Sequence, residues 1–185
     1  MKANEKAENA IYATLAGRID DTVVQRVLNQ MASAISDGVE SFHLMLQSTG
    51  GIINDGIALY NYLRQLPIDL TTYNAGTVQS IAVSIFLAAK KRKASRSATF
   101  MIHKATFYSS APTTSVQLSA ATQSLKVDDD RIERILKEYI RMPEERWEAH
   151  RFVDLFITAE EALQYGLIDE IADFSPPRGA KLINI

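Results

Sequence analysis

No cysteine occurs among the 185 residues, so disulfides, thiolate catalysis and cysteine-ligated zinc are all excluded, although the absence assigns no compartment. Neither sign of charge dominates. Twenty Lys and Arg against 22 Asp and Glu leave a net charge of -2, which gives no basic field for nucleic acid. Long apolar runs are missing as well: the longest nearly apolar run, Ile81 to Ala89, is far too short to span a bilayer. The lysines and glutamates of Met1 to Ala10 lack the apolar centre of a signal peptide. The expectation is a soluble, cytoplasmic chain with neither a membrane nor a nucleic-acid partner. A lysine-bearing glycine-rich phosphate loop and a dinucleotide fingerprint are also lacking, so any ATP dependence has to come from another protein. His150 and Asp154 stand four apart, a spacing that a helix could bring onto one face, but no third ligand with recognisable spacing joins them. Neither metal nor cofactor is expected.

What is present is ordinary in bulk. With 46% hydrophobic and 23% charged residues, the chain can bury one substantial core, and a single domain over 1–185 is expected. Ile11 to Ala16, ending at Gly17, reads as a strand. Asp21 is a candidate N-cap for an amphipathic helix through Val23, Val24, Val27, Leu28, Met31, Ala34 and Ile35, stopped by Gly38. A buried strand from Phe42 to Leu46 runs into Ser48-Thr49-Gly50-Gly51, where adjacent glycines permit positive φ and a close approach to a ligand. A helix from about Asn54 to Gln65 and a strand from Leu70 to Asn74 follow. This alternation argues for an α/β layer architecture with crossover connections.

Beyond the apolar helix, Lys90-Lys91-Arg92-Lys93 is expected to be a solvated helix end, where cations suit the dipole. From about Thr114 to Arg141 the pattern is helical without Gly or Pro, too long for a small core to pack along its whole length, so this helix is expected to project. Pro143 suits the first turn of a short helix ending near His150. Thr158 and Glu161 have capping-box spacing before a short helix stopped by Gly166, and Leu167 to Ile171 reads as a last strand. Residues 1–10 and 175–185 are expected to be loosely held tails.

The chemistry gathers on Gly76 to His103, which reads as strand, turn, buried helix, loop and strand. Ser80 stands where the first strand gives way to the helix, and His103 closes the second strand. Taken alone, each has a plain structural reading, a helix cap and a satisfied core histidine. Asp154, flanked by Phe152, Val153, Leu155 and Phe156, is a carboxylate in apolar company, which is seldom buried without a partner. Acyl transfer needs a nucleophile, a base, an orienting carboxylate and oxyanion donors. Ser80, His103, Asp154 and the Gly50-Gly51 backbone supply candidates for all four, whereas the Asp128-Asp129-Asp130 run is read as solvated.

At these residues the sequence resembles the proteolytic subunit family of the Clp protease, serine peptidases of the crotonase-like superfamily, from about Ile11 to Asp173. The family's Ser-Pro-Gly-Gly turn corresponds to Ser48-Thr49-Gly50-Gly51, and its Met-Ile-His to Met101-Ile102-His103. Its aspartate, two residues before the aromatic opening a Ser/Thr-Ala-x-Glu-Ala segment, corresponds to Asp154 ahead of Phe156 and Thr158 to Ala162. The chain departs from the family pattern at Thr49, at Ile81-Ala82 in place of Met-Gly, at Lys104-Ala105 in place of Gln-Pro, and at Val153 in place of an arginine.

The resemblance implies a crotonase-like α/β fold of layered strands and helices with a protruding handle over about 114–150. It implies Ser80 as nucleophile, His103 as base, Asp154 as orienting acid, and the amides of Gly51 and Ile81 as oxyanion donors. It further implies peptide or unfolded-protein substrates, a homo-oligomer built as a heptameric ring, stacked in pairs as a tetradecamer, and an AAA+ unfoldase that hydrolyses the ATP. The alternatives are a catalytically silent ring scaffold and, less in keeping with a serine triad, a crotonase-type acyl-CoA enzyme.

Overall fold

A computed structural model describes residues 9–185. The elements run β1 (Ala10–Ala16), α1 (Asp21–Ser36), β2 (Ser41–Ser48), α2 (Ile53–Leu63), β3 (Asp69–Gln79), α3 (Ile81–Leu87), β4 (Lys91–Ala94) and β5 (Thr99–Ile102). They continue as α4 (Ser115–Tyr139), α5 (Glu144–His150), β6 (Leu155–Thr158), α6 (Ala159–Gln164), β7 (Glu170–Ile171) and β8 (Lys181–Asn184). Alternation in β1 buries Ile11, Ala13 and Leu15 on one face. In α1 the spacing of Val23, Val27, Met31 and Ala34 makes a single buried stripe. The cap of α1 is Asp20, not Asp21: its backbone is extended and its Oδ1 accepts the Val23 N–H at 3.0 Å. Asp21 sits inside the first turn, where a carboxylate suits the dipole.

The strands form one sheet in the order β6-β5-β3-β2-β1-β8, with β4 and β7 on a side branch. Every ladder is parallel except β5 with β6. The branch arises because β3 is a single strand of 11 residues that changes partner along its length. Thr71 to Asn74 pair with β4, whereas Thr77 to Gln79 pair with β5. Asn74, fully buried, braces the fork: its Nδ2 donates to the Thr99 carbonyl and its Oδ1 accepts the Gly76 N–H. Gln47 Oε1 accepts the next amide, that of Thr77.

All seven residues of α3 are buried. Phe86 meets Phe100 edge-on at 5.1 Å, and Thr72 Oγ1 donates to the Phe86 carbonyl. Gly56 lets α2 approach, since a Cβ there would stand 2.2 Å from Ile81 Cγ1. The helix after the nucleophile candidate is thus fixed on two sides by core packing.

Three sequence expectations need correction. Lys90 to Lys93 do not end a helix: α3 stops at Leu87, and β4 pairs with β3 and β7. The charges are met by acids across the sheet edge, Lys90 by Asp69, Arg92 by Asp169 and Lys93 by Glu170. The bond that Lys93 donates to Glu170 raises its pKa above the usual lysine value. Second, the last part of the chain is not a loose tail, because β8 pairs in parallel with β1 and Ile185 is 2% exposed. Its apolar Leu182, Ile183 and Ile185 carry the pairing past the Pro176-Pro177 segment. Third, β7 covers only Glu170–Ile171 of the strand expected from Leu167. The expected tail at 1–10 falls mostly outside the described residues, while Ala10 already opens β1.

The long helix is as its pattern predicts. Thr114 caps α4 with a full capping box to Gln117, and only Ile135 and Leu136 are buried along its 25 residues. Its N-terminal half stands clear of the core, with Val116, Leu118 and Val127 exposed. Thr158 and Glu161 form the second capping box, at the start of α6.

Candidate active site

Ser80 lies between β3 and α3 with φ 56 and ψ -132, and it is the only non-glycine residue with positive φ among the described residues. A side chain rarely adopts such a backbone, at a cost of order 1–3 kcal/mol, and it persists where surrounding structure over-determines it. Here the Ser80 N–H donates to the Met101 carbonyl at 2.8 Å and the Ser80 carbonyl accepts from Val83 N. The hydroxyl makes no cap bond to α3. Instead Ser80 Oγ lies 2.8 Å from His103 Nε2. The plain cap reading of Ser80 therefore fails, because the strained turn turns the hydroxyl away from the helix and toward the imidazole.

The glycine turn packs against the same serine. Gly50 has φ 98, and a Cβ there would stand 2.7 Å from Ser80 Cβ. A Cβ on Gly51 would stand 2.0 Å from the Ile19 carbonyl oxygen. The bridge between Ile19 and Gly51 uses the Ile19 and Ile52 amides as donors, to the carbonyls of Gly50 and Ile19. The Gly51 amide is not one of its donors. The Ile81 amide, first in α3, has no intrahelical acceptor. Ile81 follows Ser80 in the chain and Gly51 lines the same cleft as Ser80, where backbone donors are needed if charge develops on a bound carbonyl.

Ser80, His103, Thr49 and Gly51 line a cleft of about 170 Å³ with an apolar side made by Ile53, Ile132 and Leu136. Ile53 and Thr106 also line a larger space of about 580 Å³ between the 106–113 segment and the outer half of α4. Phe107, Pro112, Ala120, Ala121 and Leu125 make its walls mostly apolar.

Asp154 is exposed, contrary to the expectation of a partnered, buried carboxylate. It follows a turn after α5 in which Phe152 and Val153 are exposed too, so its apolar neighbours in sequence do not surround it in space. The antiparallel ladder of β5 with β6 ends at Ile102 opposite Leu155, so His103 and Asp154 are the first residues beyond its last pair. Both line a cavity of about 400 Å³. No hydrogen bond joins their side chains among the described residues. Because α5 ends at His150, Asp154 lies beyond the helix and the two share no helix face. Among the described residues no three His, Asp or Glu gather to hold a metal ion.

His150 lines the same cavity, is 3% exposed, and leaves its Nδ1 without a hydrogen-bond partner. Burial pulls its pKa below the usual histidine value, with the Lys104 charge adding to the effect. Two acids that the sequence placed in a solvated run or passed over are found behind the base. Asp129 Oδ1 accepts the Ala105 N–H at 2.7 Å, and Glu133 Oε2 accepts from Lys104 Nζ at 2.8 Å. Their four-residue spacing on α4 was the available signal, since it sets both on one helix face.

Hydrogen bonds from Lys104 and then Lys137 hold the Glu133 carboxyl down at about 2, against an ordinary 4.5. A depressed carboxylate stabilises the fold above its unfolded pKa and loses that contribution as pH falls through its folded one. Glu133→Gln is therefore expected to lower the urea midpoint at neutral pH, and its gap to wild type to close between about pH 4.5 and 2. A gap independent of pH would mean that packing, not charge, sets the loss.

A parallel α/β sheet with a strained serine at the end of its long strand and a histidine at the end of the next defines the structural class. A model of the Clp protease family matches residues 4–175, and the chain belongs to that family. It is 28% identical over 165 residues to ATP-dependent Clp protease proteolytic subunit 1 of Gloeobacter violaceus, covering 88% of this chain and 83% of that one. The fold superposes on a mutant ClpP1 from Listeria monocytogenes with a TM-score of 0.74 at 21% identity, covering 88% of this chain and 91% of that one. The crotonase-like layering expected from the sequence agrees with this fold.

Proposed function

We propose that the chain is a serine endopeptidase acting on peptides or unfolded polypeptides through an acyl-enzyme. The observation that carries this reading is the 2.8 Å contact of Ser80 Oγ with His103 Nε2 on a strained strand-to-helix turn. In the reactive tautomer Nε2 accepts the Ser80 proton while Oγ attacks the scissile carbonyl. The carbonyl oxygen takes up charge against the Gly51 and Ile81 amides. His103 then returns the proton to the leaving amine, and water, deprotonated by the same imidazole, releases the acyl group. Asp154, which lines the same cavity as His103, orients the ring through Nδ1.

Family membership supports assembly into a homo-oligomer, and we extend this to a heptameric ring, stacked as a tetradecamer, in the cytoplasm. The relative's description as ATP-dependent supports an AAA+ unfoldase partner. No described helix is long and apolar enough to cross a membrane. A second reading, a catalytically silent ring scaffold, draws on the missing hydrogen bond between Asp154 and His103.

A fluorophosphonate probe followed by peptide mass spectrometry separates the two. The peptidase is expected to carry the label on Ser80. An assembled ring that stays unlabelled would leave the scaffold reading in its place.

A further inference from the structure

β5 ends at Ile102, so the base candidate His103 lies beyond the last ladder pair that holds its strand. The next two residues bond instead to α4. Ala105 N–H donates to Asp129 Oδ1 at 2.7 Å and Lys104 Nζ donates to Glu133 Oε2 at 2.8 Å. Lys137 Nζ, one turn further on, holds the same carboxylate at 2.8 Å. Farther along the helix, Ile135 and Leu136 anchor α4 in the core, and Ile132 and Leu136 form part of the reactive cleft. The acids that grip residues 104 and 105 are therefore carried by the fixed half of α4.

We propose that Asp129 and Glu133 are positioning residues that set the distance of His103 from Ser80. The inference rests on the peptidase reading of that pair. The Lys104-Ala105 sequence makes the device possible. Proline, usual at the second position in the resembled family, has no N–H to give to an acid. Alanine supplies that donor, and lysine supplies a cation to Glu133 where glutamine would bring only an amide. The clamp acts on the imidazole through one residue of backbone, so its loss shifts the base without removing it. A misplacement of about 1 Å in a reacting group costs on the order of a hundredfold in rate.

The test uses the full-length assembly and two readouts, the rate of fluorophosphonate labelling at Ser80 and hydrogen exchange of the 103–107 backbone. Asp129→Ala is expected to label about a hundredfold more slowly, to lower kcat with KM little changed, and to speed exchange at Ala105. Asp129→Asn keeps an oxygen that accepts the amide and should label within a few-fold of wild type. A purely structural role would slow both variants alike in step with loss of assembly. Ala105→Pro deletes the same bond without touching α4 and is expected to match Asp129→Ala, which keeps the proposal testable should the latter not assemble. Wild-type labelling by Asp129→Ala or Ala105→Pro, or equal slowing in the alanine and asparagine variants, overturns the positioning role alone. A wild type that does not label overturns the peptidase reading, and the positioning role with it.

Discussion

Replacing His103 with alanine is expected to lower peptide turnover by roughly four to six orders of magnitude while the assembly keeps its mass. The reasoning starts from the hydroxyl. A serine alcohol is a poor nucleophile at neutral pH, and among the described residues only His103 Nε2, at 2.8 Å, stands ready to take its proton. Alanine removes that acceptor and opens space without disturbing β5, whose ladder ends one residue earlier. Removing Ser80 as well should then cost little more, because nucleophile and base act as one unit and their losses do not add. Steady-state hydrolysis of an unfolded polypeptide, compared across the two single variants and the double variant, checks this. Full activity without His103 would mean that another group activates the serine.

Asp154→Asn is expected to cost about ten-thousandfold in kcat, the size of effect seen where an orienting carboxylate becomes an amide and stabilises the wrong tautomer. The ladder of β5 and β6 ends at Ile102 opposite Leu155, so residues 103 and 154 are the first beyond its last pair, and both line one cavity of about 400 Å³. An exposed aspartate lining the same cavity as His103 is free to turn its carboxylate toward Nδ1. Steady-state hydrolysis of an unfolded polypeptide by the assembled asparagine variant provides the check. Turnover equal to wild type would release Asp154 from any role in orienting the base.

Much of this was legible in the sequence because local signals and tertiary outcome agreed. The Thr114 and Thr158 capping boxes, the uninterrupted pattern of α4 and the apolar α3 are each decided within a turn or two of chain. Ser80 and His103 were readable because both stand at element ends whose parallel pairing, Gln79 opposite Met101, brings them together. Lys90 to Lys93 misled because cations at a helix end are locally reasonable, and the acids that make β4 possible lie 21 residues before Lys90 and 77 after Arg92. Asp129 and Glu133 escaped notice for the same reason. Their partners are an amide and a lysine on a segment without regular structure, so the four-residue spacing that sets both on one helix face was their one local sign. Asp154 erred the other way, since apolar neighbours in a turn say little about burial.

The pairing of β8 with β1 joins Thr14 to Asn184 across 170 residues. Closing a loop of that length carries an entropic cost that local contacts never meet, and sheets dominated by distant pairings fold slowly. During synthesis, β1 has one edge open until residues 181–184 have been made, and an open edge invites pairing with other chains. β8 is thus the strand that withdraws β1 from aggregation, which gives residues 181–184 a part in the kinetics of folding.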